Sequence, residues 1–369
     1  MYKFWSVVIV TVFWTSKSIE VPIKAEFQAL SADHEPSPGK KDYFGKTVKA
    51  DKDGIFVLAA DAVYIYERTN YTVKTLNQVQ KISYSGYNFG RGLAIENRYL
   101  FAQVTIWNPE KKGYLEGRCL VYTLNDSVWE SYSVLTARPK SFDNDLYGDT
   151  LMVHNGTLVL TSPSRYRPQQ PANTGIAYVY KIGTWKRWAF YKFRHFAFGI
   201  SAAIYNDTVA IGDTSCTNTI YDCAVYIYTR DESEKWVEQQ TLIPQNKTLY
   251  QKFGDVITMD SRFLFIVGYE KSSKQLKRTV FVYKRKLDFY QTVKYVLHQL
   301  LPESSEIYDQ SLLNTTSSLS VNGNYLVVGT AALAHDGSVY IYTYDSLADT
   351  WIKRERMLPS KKVKCIEIT

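Results

Sequence analysis

The stretch Phe198 to Pro244, FGISAAIYNDTVAIGDTSCTNTIYDCAVYIYTRDESEKWVEQQTLIP, decides the fold. An aromatic-glycine pair opens it. A short apolar strand leads to an Asn206-Asp207 turn and the run Val209-Ala210-Ile211-Gly212. A polar loop follows, then the alternating Ala224-Val225-Tyr226-Ile227-Tyr228. A charged turn reaches Trp236 and a last strand ending at Leu242-Ile243-Pro244. The apolar residues return with a period of two or in short runs, never with a helical period. Four short strands joined by turns are predicted.

The same unit recurs along the chain. Phe44-Gly45, Phe89-Gly90, Tyr147-Gly148 and Phe253-Gly254 open other copies, spaced about fifty residues apart. Each copy repeats an apolar second strand and an alternating third strand. Examples are Leu264 to Gly268 with Val280 to Tyr283, and Tyr325 to Gly329 with Ser338 to Tyr342. A sixth copy near Leu313-Asn314 lacks the opening pair. In the first copy the strands are expected near Thr47–Ala50, Ile55–Ala60, Ala62–Glu67 and Val73–Ile82.

One such sheet has two apolar faces and cannot bury both alone. Packing copies side by side covers each face with a neighbour, which predicts a β-propeller of four-stranded blades. The fold class is therefore all-β, a single propeller with six blades expected. A seventh blade assembled from the two ends is the alternative. The segment Ala25 to Leu30 resembles a last strand and is able to pair with the sixth copy.

The units resemble FG-GAP repeats, the type that builds the head of integrin α subunits, through the aromatic-glycine pairs above and the glycines Gly212, Gly268 and Gly329 that end second strands. The resemblance spans roughly residues 25 to 360. It implies a propeller in an extracellular binding role. The family's calcium loop is poorly matched. Asp51-Lys52-Asp53-Gly54 supplies too few oxygen ligands for calcium and is read as a turn. No metal or cofactor is expected.

Residues 1–18 read as a secretory signal, with Lys3 before an apolar core from Phe4 to Trp14 and cleavage expected near Ser18–Ile19. That core is too short to span a bilayer as a helix. The propeller is assigned to residues 19–360 and a basic tail to 361–369. The chain of 369 residues carries a net charge of +8, two of whose cations, Lys3 and Lys17, fall in the expected signal. The remaining excess is mild, and no basic-aromatic cluster is dense enough for nucleic acid. The sequons at Asn70, Asn125, Asn155, Asn206, Asn246 and Asn314 fit a secreted glycoprotein. With 30 Tyr and 8 Trp, the composition suits half-buried pleated surfaces.

Cys216 and Cys223 flank one loop and are expected to form a local disulfide. Cys119 and Cys365 are then partners by elimination, with free thiols as the alternative. Catalytic motifs are thin. No nucleophile elbow or zinc-binding His pair is present; of His34, His154, His195, His298 and His335, His34 and His335 sit in expected loops, and His195, between Phe193 and Phe196, is read as packing. No catalytic residue is assigned, and the chain is expected not to be an enzyme.

The turns divide between two faces. One carries the short turns Asp53-Gly54, Asn155-Gly156, Asn206-Asp207 and Asn322-Gly323, together with most sequons. The other carries the long connections Val104–Arg118, Ser162–Thr174, Asp213–Asp222 and Tyr269–Arg278. Variable loops over a rigid scaffold commonly bind. Trp107, Lys111, Lys112, Tyr114, Arg165, Tyr166 and Arg167 on the second face are the contact candidates, since Tyr, Trp and Arg dominate hot spots. The expected function is a secreted, monomeric binding or adhesion module for an extracellular protein or glycan. An extracellular propeller enzyme, such as a glycan hydrolase or lyase, is one alternative. It requires carboxylates converging at the channel mouth. A structural matrix component is the other.

Overall fold

A computed structural model describes residues 7–11, 26–30, 44–51, 54–70, 73–84, 88–108, 114–137, 146–163, 175–191, 197–216, 223–271, 275–302, 308–309, 316–331 and 338–357. All regular structure among them is strand. The fold is an all-β, six-bladed propeller whose blades are antiparallel sheets in simple chain order. No helix among the described residues is long and apolar enough to cross a membrane.

The chain divides into two compact units, Ser85–Leu313 and the pair of segments Met1–Tyr84 with Asn314–Thr369. The second of these holds blades 1 and 6. Blade 1 is β3 (Thr47–Ala50), β4 (Ile55–Leu58), β5 (Ala62–Asn70) and β6 (Val73–Ser83), close to the predicted boundaries. Its core joins Phe44, Val48, Val57, Ala62, Tyr64 and Tyr66. Blade 6 is β25 (Thr316–Asn322), β26 (Tyr325–Ala331), β27 (Ser338–Asp345) and β28 (Thr350–Met357). It builds all four strands from its own copy. The expected pairing of Ala25–Leu30 with the sixth copy is not found. Instead β2 (Glu26–Leu30) pairs antiparallel with β1 (Val7–Thr11), which lies inside the expected signal segment. The β-branched run Val7-Val8-Ile9-Val10 explains the strand.

The unit Ser85–Leu313 holds blades 2 to 5. Blade 2 is β7 (Asn88–Glu96), β8 (Tyr99–Asn108), β9 (Tyr114–Asn125) and β10 (Val128–Thr136). Blade 3 is β11 (Leu151–His154), β12 (Thr157–Ser162), β13 (Ile176–Lys181) and β14 (Lys186–Tyr191). Blade 4 is β15 (Phe198–Tyr205), β16 (Thr208–Asp213), β17 (Ala224–Arg230) and β18 (Trp236–Leu242). Blade 5 adds two short strands to its four. It runs through β19 (Tyr250–Gln251), β20 (Ile257–Met259), β21 (Phe263–Lys271), β22 (Gln275–Leu287), β23 (Val293–Pro302) and β24 (Tyr308–Asp309).

Within this unit the first strands of successive blades pack on one another, β7 on β11, β11 on β15 and β15 on β20. Apolar clusters fill the wedges between neighbours. One joins Phe101, Val121, Tyr147, Leu158 and Tyr178, from blades 2 and 3. Another joins Ala203, Val225, Phe253, Ile266 and Phe281, from blades 4 and 5. Each fully buried Phe here contributes roughly 1.5–3 kcal/mol.

The aromatic-glycine pair has a physical reason. Phe44, Phe89, Tyr147, Phe198 and Phe253 are all at most 2% exposed, so each plugs an inter-strand wedge. Gly45, Gly148, Gly199 and Gly254 adopt φ between 80° and 95°, a conformation that side chains disfavour. Gly90 differs. Its φ is ordinary, but a Cβ there would fall 1.7 Å from the Gln103 side-chain oxygen.

Candidate functional site

The residue after each of these glycines occupies one position in four consecutive blades of the unit Ser85–Leu313. It is Arg91 in blade 2, Asp149 in blade 3, Ile200 in blade 4 and Asp255 in blade 5. All four sit where an innermost strand begins. In β7 and β15 the ladder is bulged there, between Phe89 and Leu93 and between Phe198 and Ser201. Such bulges re-aim side chains.

Asp255 is the best-developed acid of this set. Tyr269, nearly buried at the far end of β21, donates its hydroxyl hydrogen to Asp255 Oδ2 at 3.2 Å. Arg278, only 2% exposed, is the cross-strand partner of Tyr269 in β22. Burial pushes the Asp255 carboxyl above the usual range, against the opposing pull of Lys252, the Tyr269 hydrogen bond, Arg278 and Arg91. A carboxyl raised by burial, with a phenol and guanidinium groups around it, is equipped for proton transfer beside a developing negative charge.

Gln103 adds a donor. It is 1% exposed, and its Oε1 accepts from the Arg91 backbone N–H at 2.8 Å. Its Nε2 is buried and has no hydrogen-bond partner among the described residues. The Cβ that Gly148 lacks would lie 3.3 Å from Gln103 Cγ, which explains why blade 3 approaches so closely.

On blade 4 the same face is rigid. Asp213 is fully buried and accepts hydrogen bonds from the Ser215 N–H at 3.0 Å and from the Ser215 hydroxyl. Ser215 Oγ in turn accepts from the Ala197 N–H at 2.9 Å. This Ser-Asp pair anchors the start of β15 rather than forming a nucleophile. The adjacent loop is closed by the expected Cys216–Cys223 disulfide.

The contact candidates named from sequence fare differently. Trp107 and Tyr114 are not loop residues. They belong to β8 and β9, opposite Leu115 and Asn108. The expected loop Val104–Arg118 is an extended hairpin whose connection shrinks to residues 109–113. Tyr269–Arg278 likewise continues the ladder as far as Lys271 paired with Leu276. Alternating side chains let both hairpins keep their backbone groups bonded beyond the sheet. Lys111, Lys112, Arg165, Tyr166 and Arg167 lie outside the described residues. So do His34, His195, His335, Asn314 and Cys365. Cys119 is a free, fully buried thiol in β9. His154 packs edge-on against Tyr205 at 4.6 Å. Asp51 accepts from the Gly54 N–H at 2.9 Å, as a turn residue does. Asn125, Asn155, Asn206 and Asn246 are exposed at strand ends or turns. No cluster of three or more metal-binding side chains exists among the described residues.

Arg91, Gln103, Asp255, Tyr269 and Arg278 were not singled out from the sequence. The usable signal was the identity of the residue after each aromatic-glycine pair, which alternates between basic, acidic and apolar.

No protein-family model and no curated protein matches the chain. Solved structures do match. A periplasmic gluconolactonase from Pseudomonas aeruginosa aligns over 82% of this chain and 80% of its own, at 12% identity and a TM-score of 0.51. A Bacteroides fragilis protein provisionally described as a 6-phosphogluconolactonase aligns over 97% and 96%, at 13% identity and a TM-score of 0.53. At these identities the likeness is one of fold. It corrects two expectations. The FG-GAP and integrin-like assignment has no support, because the aromatic-glycine pair is a packing device and the matching propellers are of another kind. The expectation of a non-enzyme is withdrawn, because both matching propellers bear the names of lactonases.

Proposed function

We propose that the protein is a propeller hydrolase acting on a small, sugar-like ester or lactone at the end of the blades where Arg91, Asp149 and Asp255 begin their strands. The observation that carries this reading is Asp255, a carboxyl raised by burial and held by Tyr269 amid the charges of Lys252, Arg278 and Arg91. Ionised Asp255 takes a proton from a water whose oxygen attacks the ester carbon. Arg91 and Arg278 offset the charge on the tetrahedral oxygen. Protonated Asp255 then returns its proton to the leaving alkoxide as the carbon–oxygen bond breaks. The products are a carboxylic acid and an alcohol. The names of the two structural neighbours favour a lactone ring over an open ester.

The test is hydrolysis of gluconolactone by the full chain, followed by proton release and corrected for spontaneous opening. Asp255→Asn is expected to lower kcat by roughly 100-fold or more. Tyr269→Phe removes a hydrogen bond to the carboxylate and is expected to move the acidic limb of kcat/KM upward. Hydrolysis no faster than the spontaneous rate across a panel of sugar lactones, or an unchanged Asp255→Asn variant, overturns the reading.

The compartment follows from separate features. The disulfide, the sequons and the amino-terminal apolar run support a secreted glycoprotein. Mass spectrometry of protein made in a eukaryotic host tests this through glycan occupancy and the mature amino terminus. An unprocessed amino terminus with unoccupied sequons overturns it. The extracellular-ligand reading stands second, carried by Trp107 and Tyr114 on an extended hairpin. A binding screen against extracellular proteins and glycans with Trp107→Ala as control distinguishes it.

A further inference from the structure

The turn between β22 and β23 displays the most exposed aromatic side chains described. Phe289 is 91% exposed, Tyr290 81% and Leu287 50%. The two rings meet edge to face with their centroids 5.4 Å apart. They are not loosely held. Asp288 accepts from the Tyr290 and Thr292 N–H groups, each at 2.9 Å, and from the Thr292 hydroxyl. The Asp288 N–H donates to the Thr292 carbonyl at 3.0 Å, and Gln291 takes a φ of 60°.

Blade 4 contains the same turn with different residues at its summit. Asp231 accepts from the Lys235 N–H at 2.9 Å and its own N–H donates to the Lys235 carbonyl at 2.8 Å. Glu234 has a φ of 61° in the place of Gln291. The summit positions there are Glu232 and Ser233. The turn therefore does not need aromatics, and the rings of Phe289 and Tyr290 make none of its hydrogen bonds.

The strands below are cationic on one face. Lys286 stands directly opposite Lys294, and Lys284 lies two residues along the same face. Like charges directly opposed destabilise a ladder. Asp288 offsets one of them, 3.4 Å from Lys294 Nζ, and Lys286 is exposed beside it. Exposed aromatics above lysines on one strand face match an interface whose surface is anionic and whose interior is apolar.

We propose that the Leu287–Tyr290 tip docks this protein on an anionic lipid bilayer, with Phe289 and Tyr290 entering the headgroup region and Lys284, Lys286 and Lys294 meeting lipid phosphates and carboxylates. Blade 5 carries no sequon at either of its turns on this side, and the sequons at Asn125, Asn155 and Asn206 belong to other blades.

The test is co-sedimentation of the full chain with phosphatidylcholine vesicles, with and without phosphatidylserine. Binding is expected only with phosphatidylserine and is expected to weaken with salt. Transplanting the blade 4 summit, Phe289→Glu with Tyr290→Ser, is expected to cut partitioning roughly tenfold or more and to leave thermal unfolding unchanged. Lys286→Ala is expected to cut it about fivefold. Failure of the wild type to bind anionic vesicles overturns the proposal, as does equal binding by the transplanted variant. Self-association that the transplant abolishes, with vesicles ignored by both proteins, identifies the tip as a protein contact and also overturns it.

Discussion

Ser201 donates its hydroxyl hydrogen to the Gly254 carbonyl oxygen 2.6 Å away, tying β15 to the turn that opens blade 5. Gly212 makes room for the contact, since a Cβ there would lie 2.3 Å from both atoms. The bridge fixes the residue before Asp255, so inter-blade packing and the candidate site share one hydrogen bond.

Ser201→Ala is expected to lower stability by about 1–3 kcal/mol, because the buried carbonyl loses its partner. Gly212→Ala is expected to cost about the same by overpacking. Chemical denaturation of the two single variants and the double variant measures this. The double variant is expected to lose less than the sum, since both act on one contact.

Two glycines with positive φ separate backbone strain from crowding. Gly156 has a φ of 71° and nothing within 4 Å of a Cβ. Gly156→Ala is expected to cost about 1–2 kcal/mol from conformation alone. Gly254 has a φ of 95° with Val225 Cγ2 and the Ala224 carbonyl at 3.1 and 3.2 Å. Gly254→Ala is expected to cost at least about 1 kcal/mol more. Equal losses would show that the wedge relaxes freely.

Asp255 makes stability depend on pH. Its folded-state pKa is raised by burial, so the fold favours the protonated carboxyl. That contribution is complete below the unfolded value of about 3.9 and is lost as pH rises through the folded value. The Tm of Asp255→Asn relative to wild type is therefore expected to increase from acid to neutral pH and then level off. A gap that shrinks over that range would mean that the surrounding cations outweigh burial.

The Cys216–Cys223 disulfide spans a sequence separation of 7. A loop that short is worth about 2.5 kcal/mol by chain entropy. Cys216→Ser with Cys223→Ser is expected to lower the unfolding free energy by that amount, read as a lower denaturation midpoint.

Cys119 is fully buried, and desolvation raises its thiol well above the ordinary range. In a Cys365→Ser background, a thiol reagent is expected to modify the native protein only at the rate of unfolding. Fast labelling at neutral pH would place Cys119 in an opening segment.

Much of the scaffold was legible from residue order. The strands of blade 1 fell within a few residues of their observed ends because apolar alternation and Gly or Asn turns are local signals. The pair Cys216–Cys223 was legible because the two cysteines flank one short loop. The extended hairpins were not, since Trp107 and Tyr114 sit among polar residues that read as a loop. Nor were the edge bulges, which recur where His298, Gln239 and Tyr132 drop out of register with the third strand. They protect outer edges by a backbone choice that leaves no residue-type mark.

By itself the sequence determined the blade, because period-two burial and a left-handed glycine behind a buried aromatic are properties of neighbouring residues. Only the tertiary structure decided the site. Arg91 and Asp255 are separated by three blade openings along the chain, and each looks like an ordinary charge in a turn. Stacking of β7, β11, β15 and β20 sets them at the same level of one unit. Burial then raises the Asp255 carboxyl, against the opposing pull of Tyr269 and Arg278, which arrive from an extended hairpin in a stretch that reads as a loop.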